Sequence, residues 1–267
     1  SYSDYFFIHF WSLSVEEQFY LVWPILIFAC SLKQLRVVLI ILIVLSPLVR
    51  FLLTDLLLES GLEPYYVGET VYRFTFSQWD GFAFGALIPV FSLDKVKIPI
   101  SKLLLFSSFA VVFLGIWNLY SLHQEGVDIS WASMGYRIGE TKNLQHVWSY
   151  TVLDVLFLLL ILYSVNIHLG YSWIRDKILS GGFLVYFGKI SYGLYVYHWI
   201  IWMAYSKFLK SVIPFSLAGF VLFTSMSVVI ASVSYFIVEK PLLGLKDRFF
   251  SSEKKLLWIL TYNYRLM

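Results

Sequence analysis

The chain has 267 residues, of which 59% are hydrophobic and 14% are charged, and its mean hydropathy is +0.75. A soluble domain carries about 45–50% apolar and about 25% charged residues, so this composition argues against a water-soluble globule, a disordered chain and a disulfide scaffold. A formal net charge of +3 is too small for the basic surface of a nucleic-acid-binding protein. Aromatic residues make up 20% of the chain, which is typical where Trp and Tyr lie at membrane interfaces. The composition therefore predicts an integral membrane protein whose main partner is the lipid bilayer.

Seven apolar segments follow one another along the chain, and each is a candidate membrane helix, because crossing a bilayer takes about 20 mostly apolar residues. They cover residues 19–32, 35–58, 79–91, 103–122, 147–168, 190–209 and 214–238. The first and third segments are short for a full crossing, so they either extend into their flanks or line a cavity. The predicted fold is an all-α, polytopic transmembrane bundle over residues 1–245, followed by a tail over residues 246–267.

Basic residues are distributed unequally between the two sets of connections. Most Lys and Arg residues lie in the turn after the first segment, in the connections after the third and fifth segments, and in the tail. By the positive-inside rule, this places the tail in the cytoplasm and Ser1 on the outer face. Two outer connections, residues 59–78 and 123–146, are longer than packing requires, so they are either functional or simply solvated loops.

Two adjacent carboxylates, Glu16 and Glu17, directly precede the first apolar segment in the sequence HFWSLSVEEQFYLVWP. On a helix, residues i and i+4 share a face, so Ser12 would lie beside Glu16. One carboxylate would then point inward next to a hydroxyl group, as in a catalytic or binding site. The structural alternative is that Ser12 or Ser14 caps the helix and both acids occupy its first turn, where the helix dipole favours them.

Arg73 and Asp80 are a second candidate pair, in YRFTFSQWDGFAFGAL. Their separation of seven residues places them two turns apart on one helix face, provided that the helix extends back to Arg73. The structural alternative is an ion pair at the end of a helix. Gly81 and Gly85 have the small-xxx-small spacing that allows helices to pack closely.

His198 lies inside the apolar segment 190–209, in FGKISYGLYVYHWIIW, and Tyr192 adds a hydroxyl group to the same segment. A neutral imidazole can act as a base near pH 7 or can simply form a hydrogen bond within the core. Asp154, inside the segment 147–168, is expected to form a hydrogen bond between helices. The histidines show no spacing typical of metal ligands, so no metal site is predicted.

Four blocks of the sequence, taken in order, resemble the acyltransferase-3 family of bacterial membrane O-acyltransferases. WSLSVEEQFYLVWP is similar to the family's W-S-L-x-x-E-E-Q-F-Y-L-x-W-P signature, and GKISYGLYVYHW is similar to its S-Y-x-x-Y-x-x-H-x block. RFTFSQWDGFAFGAL resembles the R-x-D-x-x-x-x-G block, although Arg73 and Asp80 are farther apart here than in the family pattern. SYFIVEKPL resembles the closing S-Y-x-x-x-E-K-P block, so the resemblance covers nearly the whole chain.

The resemblance implies an enzyme of the bacterial inner membrane that takes an acyl group, usually acetyl from acetyl-CoA. The enzyme would pass this group to a hydroxyl of a surface glycan such as lipopolysaccharide O-antigen, with acyl-CoA as donor substrate and no bound cofactor. The resemblance implies catalytic roles for Glu16 and His198. Substrate-binding roles are implied for Ser12, Glu17, Arg73, Asp80 and Tyr192.

Members of this family typically have ten membrane helices with both ends in the cytoplasm, and a histidine in the first helix is held to be the acid/base. That histidine and an Arg-x-x-Arg motif do not occur in this sequence, so we expect three further helices before Ser1 in the parent protein. Two alternatives stay open, namely a catalytically silent fragment of such an enzyme and a polytopic transporter. The lack of an internal repeat in the sequence argues against the transporter.

Overall fold

The computed structural model describes residues 8–126, 131–213 and 216–245, which form eight α-helices and no β-strand. The predicted all-α fold is confirmed. The helices are α1 (Trp11–Ala29), α2 (Leu32–Glu59), α3 (Pro64–Arg73), α4 (Trp79–Phe91), α5 (Ile100–Gln124), α6 (Gln145–Val165), α7 (Gly182–Ala204) and α8 (Leu217–Ser234). The tail predicted over residues 246–267 lies outside the described residues.

Four helical stretches in the described part of the chain are long and apolar enough to cross a membrane. They are Leu32–Glu59, Ile100–Gln124, Lys142–Val165 and Leu217–Leu245, and the mean hydropathy of their most apolar windows lies between 1.9 and 2.7. The remaining predicted segments also form helices, namely α1, α4 and α7. Large apolar side chains such as Phe106 and Phe109 on α5 point away from the protein, as expected where lipid is the solvent.

The chain divides into two compact units. The larger unit is Phe10–Lys177 and contains α1 to α6. In its core, α2 packs against α4 through Leu35, Leu39, Leu42, Ala83 and Val90. In the described part of the chain, the smaller unit combines residues 8–9 with residues 178–213 and 216–245 and contains α7 and α8.

Helix α1 begins at Trp11, and in the described part of the chain no side chain caps its first turn. Glu16 and Glu17 lie beyond that turn. The alternative in which Ser12 or Ser14 caps the helix and both acids occupy the first turn is therefore wrong. The helix dipole does not account for the two carboxylates.

Helix α2 has clear start and stop signals. Ser31 and Gln34 form a capping box, in which the Gln34 amide oxygen accepts from the Ser31 N–H at 2.8 Å and the Ser31 hydroxyl accepts from the Gln34 N–H at 3.4 Å. The helix ends at Glu59, shortly before Gly61, whose φ of +85° is a left-handed conformation that glycine adopts readily. This long helix carries three buried polar side chains, namely Ser46, Arg50 and Thr54.

Part of the stretch that leads into α6 packs against α5. A Cβ at Gly135 would lie 2.0 Å from the Gly115 carbonyl oxygen, so the two backbones are in direct contact. The side-chain amides of Asn118 and Gln145 donate to the Gly135 carbonyl oxygen at 3.0 and 2.8 Å. Gly135 is therefore packed against α5, whereas Trp131, Met134 and Ile138 in the same stretch are exposed.

In the smaller unit, α7 and α8 approach closely at Gly193. A Cβ at this position would lie 3.2 Å from the Ala231 Cα and 3.1 Å from a carboxylate oxygen of Glu239. The Tyr186 hydroxyl donates to the Ser232 hydroxyl at 2.6 Å. Gly193 belongs to the GKISYGLYVYHW block and Glu239 to the SYFIVEKPL block, so these two blocks lie side by side.

Candidate active site

A buried ion pair joins three helices of the larger unit. The guanidinium of Arg50 on α2 pairs with the carboxylate of Asp80 on α4, and both side chains are fully buried. On α6, Thr151 accepts from Arg50 Nη2 at 2.9 Å and donates to Asp80 Oδ2 at 2.7 Å. The backbone N–H of Asp80 donates to the hydroxyl of Ser46 at 3.0 Å. In a low-dielectric interior, such contacts hold helices together only while both ions are present.

Arg73 does not pair with Asp80, so the expected helix-end ion pair between them is wrong. Arg73 ends α3 and donates to Glu69 at 3.0 Å, in a pair that is largely exposed. Between α3 and α4 the chain leaves the α-helical conformation and forms a short 3₁₀ turn at Thr75–Gln78. The two residues therefore do not share one helix, and Asp80 finds its partner in Arg50, 30 residues earlier.

A second chain of contacts runs from Arg50 to the first turn of α6. The Thr54 hydroxyl donates to the Arg50 carbonyl oxygen at 2.7 Å and lies 2.6 Å from Nε2 of the buried His146. The hydrogen bond between Thr54 and His146 thus links α2 to the first turn of α6. The Arg50 guanidinium also lies over the Tyr150 ring, 5.4 Å from its centre.

A cleft of about 390 Å³ opens in the larger unit, next to this ion pair. Helices α1, α3, α4 and α6 and the turn before α4 contribute its wall, which consists of Trp11, Ser12, Val15, Glu16, Tyr72, Gln78, Gly81, Phe82 and Asp154. Polar groups therefore face three aromatic rings across a small space. Gly81 leaves room for Asp154, since a Cβ at Gly81 would lie 3.3 Å from Asp154 Oδ1.

Helix α1 contributes two candidate site residues of the sequence analysis to this wall. Ser12 and Glu16 line the cleft together, as their spacing of four residues indicates, whereas the neighbouring Glu17 is exposed. Two ring contacts hold α1 in place: Trp11 lies edge-on to Tyr72 at 4.8 Å, and Phe19 stacks on Phe82 at 4.3 Å.

His198 belongs to the smaller unit. Its Nδ1 lies 2.6 Å from the Tyr195 carbonyl oxygen, which can only accept, so Nδ1 carries the proton. His198 and Tyr195 line a mostly apolar cleft of about 320 Å³. Tyr192, by contrast, is 58% exposed and does not line this cleft.

His9 lies beside His198, with 5.4 Å between the ring centres. Its Nε2 lies 3.3 Å from the Val196 carbonyl oxygen, and Tyr195 donates to the His9 carbonyl oxygen. Burial lowers the pKa of His9 below its usual value; the hydrogen bond to Val196 opposes this shift, and the nearby His198 adds to it. His9 is therefore neutral at pH 7.

The chain matches the family model of the acyltransferase domain over residues 2–238. It belongs to this acyltransferase family. No curated protein and no solved structure matches the chain significantly. The family and the four long apolar helices make the protein a membrane acyltransferase.

Two residues of this acyltransferase have roles that the sequence did not reveal. Arg50 was not expected at the site, although a cation in the middle of a 28-residue apolar helix must find a counter-ion. Asp154 was expected to bridge helices. Among the described residues it forms no such hydrogen bond, and it faces the cleft instead.

Proposed function

We propose that the protein is a bacterial inner-membrane O-acyltransferase. It transfers an acyl group from acyl-CoA to a hydroxyl of a surface polysaccharide such as lipopolysaccharide O-antigen. The acyl group that we propose is acetyl. The observation that supports this most directly is the position of Ser12 and Glu16, two residues of the WSLSVEEQFYLVWP block, on the wall of one cleft. A small number of polar groups among aromatic rings is a typical lining for a site that binds a small polar ligand.

The reaction forms an ester bond between the acceptor oxygen and the acyl carbon and breaks the bond from that carbon to the sulfur of CoA. A base takes the hydroxyl proton as the oxygen attacks, and the departing thiolate takes up a proton. Polar N–H or O–H groups stabilise the tetrahedral oxyanion between these steps.

Glu16 and His198 are our candidates for catalytic roles. Glu16 is a half-buried carboxylate on the cleft wall, where it can accept a hydrogen bond from the acceptor or orient the base. His198 holds its proton on Nδ1 through the Tyr195 carbonyl, so Nε2 carries the lone pair that a hydrogen-bond acceptor or a base needs.

The test is transfer of labelled acetyl from acetyl-CoA to surface polysaccharide in membranes that contain the full-length protein. We expect label in the polysaccharide with the wild type, and a loss of about 100-fold with Glu16→Gln and with His198→Ala at equal amounts of protein. Transfer at the wild-type rate in both variants would refute the catalytic roles of Glu16 and His198. Unlabelled polysaccharide with the wild type would refute the proposed reaction.

A further inference from the structure

Asp154 lies near the middle of α6, on the wall of the cleft that also contains Ser12 and Glu16. Helix α6 is part of a stretch that is long and apolar enough to cross a membrane. Carboxylates in such helices are energetically unfavourable and are almost always paired or functional. Yet no side chain or backbone group in the described part of the chain forms a hydrogen bond with the Asp154 carboxylate.

The nearby cation forms no hydrogen bond with Asp154: the guanidinium of Arg50 uses Nη2 for Asp80 and Thr151, and its Nη1 has no hydrogen-bond partner among the described residues. Arg50 pairs with Asp80 and donates to Thr151. Thr151, one turn before Asp154 on α6, directs its own hydroxyl to Asp80 as well. The charges of Arg50 and Asp80 thus balance each other. The Asp154 carboxylate faces the cleft and has no hydrogen-bond partner among the described residues.

The other wall residues indicate the class of ligand. Asp154 and Glu16 present carboxyl oxygens to the cleft, and the wall that the described residues form contains no Lys, Arg or His side chain, which disfavours the anionic phosphates of an acyl-CoA. A metal ion is not indicated either, because the described residues contain no group of three or more His, Cys, Asp or Glu side chains that could hold one. A neutral ligand with several hydroxyl donors and an apolar ring face fits this lining of carboxylates and aromatic rings.

We propose that Asp154 is an acceptor-binding residue, which accepts a hydrogen bond from a hydroxyl of the sugar unit held in the Glu16 cleft. The identity of that sugar as the acyl acceptor rests on the proposed function. A carboxylate is a stronger acceptor than a neutral amide, so Asp154→Asn keeps the size of the side chain and weakens this contact.

The test compares binding by the full-length protein in lipid nanodiscs. The probe is delipidated surface polysaccharide from a strain that lacks this protein, and acetyl-CoA is the second probe. We expect Asp154→Asn to weaken the affinity for the polysaccharide by about tenfold and to leave that for acetyl-CoA within twofold. The matched control is Asp55→Asn, an exposed carboxylate on α2, which should change neither affinity. Equal polysaccharide affinity in Asp154→Asn and the wild type would overturn the proposal.

A second measurement needs no variant. A hydrophobic carbodiimide modifies carboxyl groups in apolar surroundings, and mass spectrometry locates the product in the wild-type chain. We expect the polysaccharide, but not acetyl-CoA, to protect Asp154 from modification; equal modification with and without polysaccharide would overturn the proposal.

These outcomes separate the two proposals. Binding and protection without acyl transfer would refute the proposed reaction and support Asp154 as a sugar-binding residue. Transfer by the wild type with neither protection nor weaker binding in Asp154→Asn would refute the role of Asp154 alone.

Discussion

The guanidinium of Arg50 meets the carboxylate of Asp80 at a place where both side chains are completely removed from the surface. Neither ion has solvent around it, so each depends on the other for its stability. The contact also shapes the cleft, because Gly81 directly follows Asp80 on α4 and Asp154 lies one turn after Thr151 on α6. The ion pair thus fixes two sides of the cleft wall.

Removing one partner of this ion pair should destabilise the protein strongly. Asp80→Asn leaves the Arg50 charge buried without a counter-ion, and we expect a loss of about 3–5 kcal/mol in the free energy of unfolding. The double variant Arg50→Met, Asp80→Asn should regain much of this loss, because it contains no unpaired ion. Thermal unfolding of the purified protein in detergent measures both effects, and an unchanged Tm in Asp80→Asn would contradict the buried pair.

The close contact of Gly115 with the α5–α6 connection should tolerate no side chain. A Cβ at Gly115 would lie 2.4 Å from the Met134 carbonyl oxygen, so we expect Gly115→Ala to lower the stability by about 1–3 kcal/mol. Gly85 is the matched control, since a Cβ there meets nothing within 4 Å and alanine favours the helix. Hydrogen exchange of residues 131–144 should rise in Gly115→Ala only; equal protection in both variants would contradict this packing.

His9 should make the smaller unit sensitive to acid. Burial is the main cause of its lowered pKa, and an unfolded histidine titrates near a pKa of about 6.5. Because the folded pKa is depressed, the stabilisation is fully present above about pH 6.5 and is lost as the pH falls through the folded pKa. The electrostatic effect of His198 lowers the pKa of His9, so His198→Gln should raise the pKa of His9. NMR titration of labelled histidine measures both values, and a His9 pKa above 6.5 in the wild type would contradict the burial.

Seven of the eight α-helices in the described part of the chain could be predicted from the sequence, because each contains a run of apolar residues; α3 could not, since it lies within the connection predicted over residues 59–78. The bounds of α4, residues 79–91, are the same in the sequence-based prediction and in the structure. The shared face of Ser12 and Glu16 could also be predicted, since it depends only on helical spacing. These features are local along the chain.

The ion partner of Asp80 could not be predicted, because it depends on which helices are neighbours. Local spacing favoured Arg73, but the 3₁₀ turn at Thr75–Gln78 separates that residue from α4. Arg50 lies on α2, and only the packing of α2 against α4 brings its guanidinium to Asp80. The position of Asp154 on the cleft wall depends in the same way on the packing of α6 beside Gly81.

The most direct test of the Glu16 cleft as the active site compares two adjacent carboxylates of α1. The measurement is the initial rate of acetyl transfer from labelled acetyl-CoA to surface polysaccharide by the full-length protein. We expect Glu16→Gln to lower this rate by about 100-fold, because Glu16 lines the cleft. Glu17→Gln should have a much smaller effect, because Glu17 is exposed and lies outside the cleft wall. Equal rates for Glu16→Gln and the wild type, or a larger loss with Glu17→Gln, would contradict this assignment.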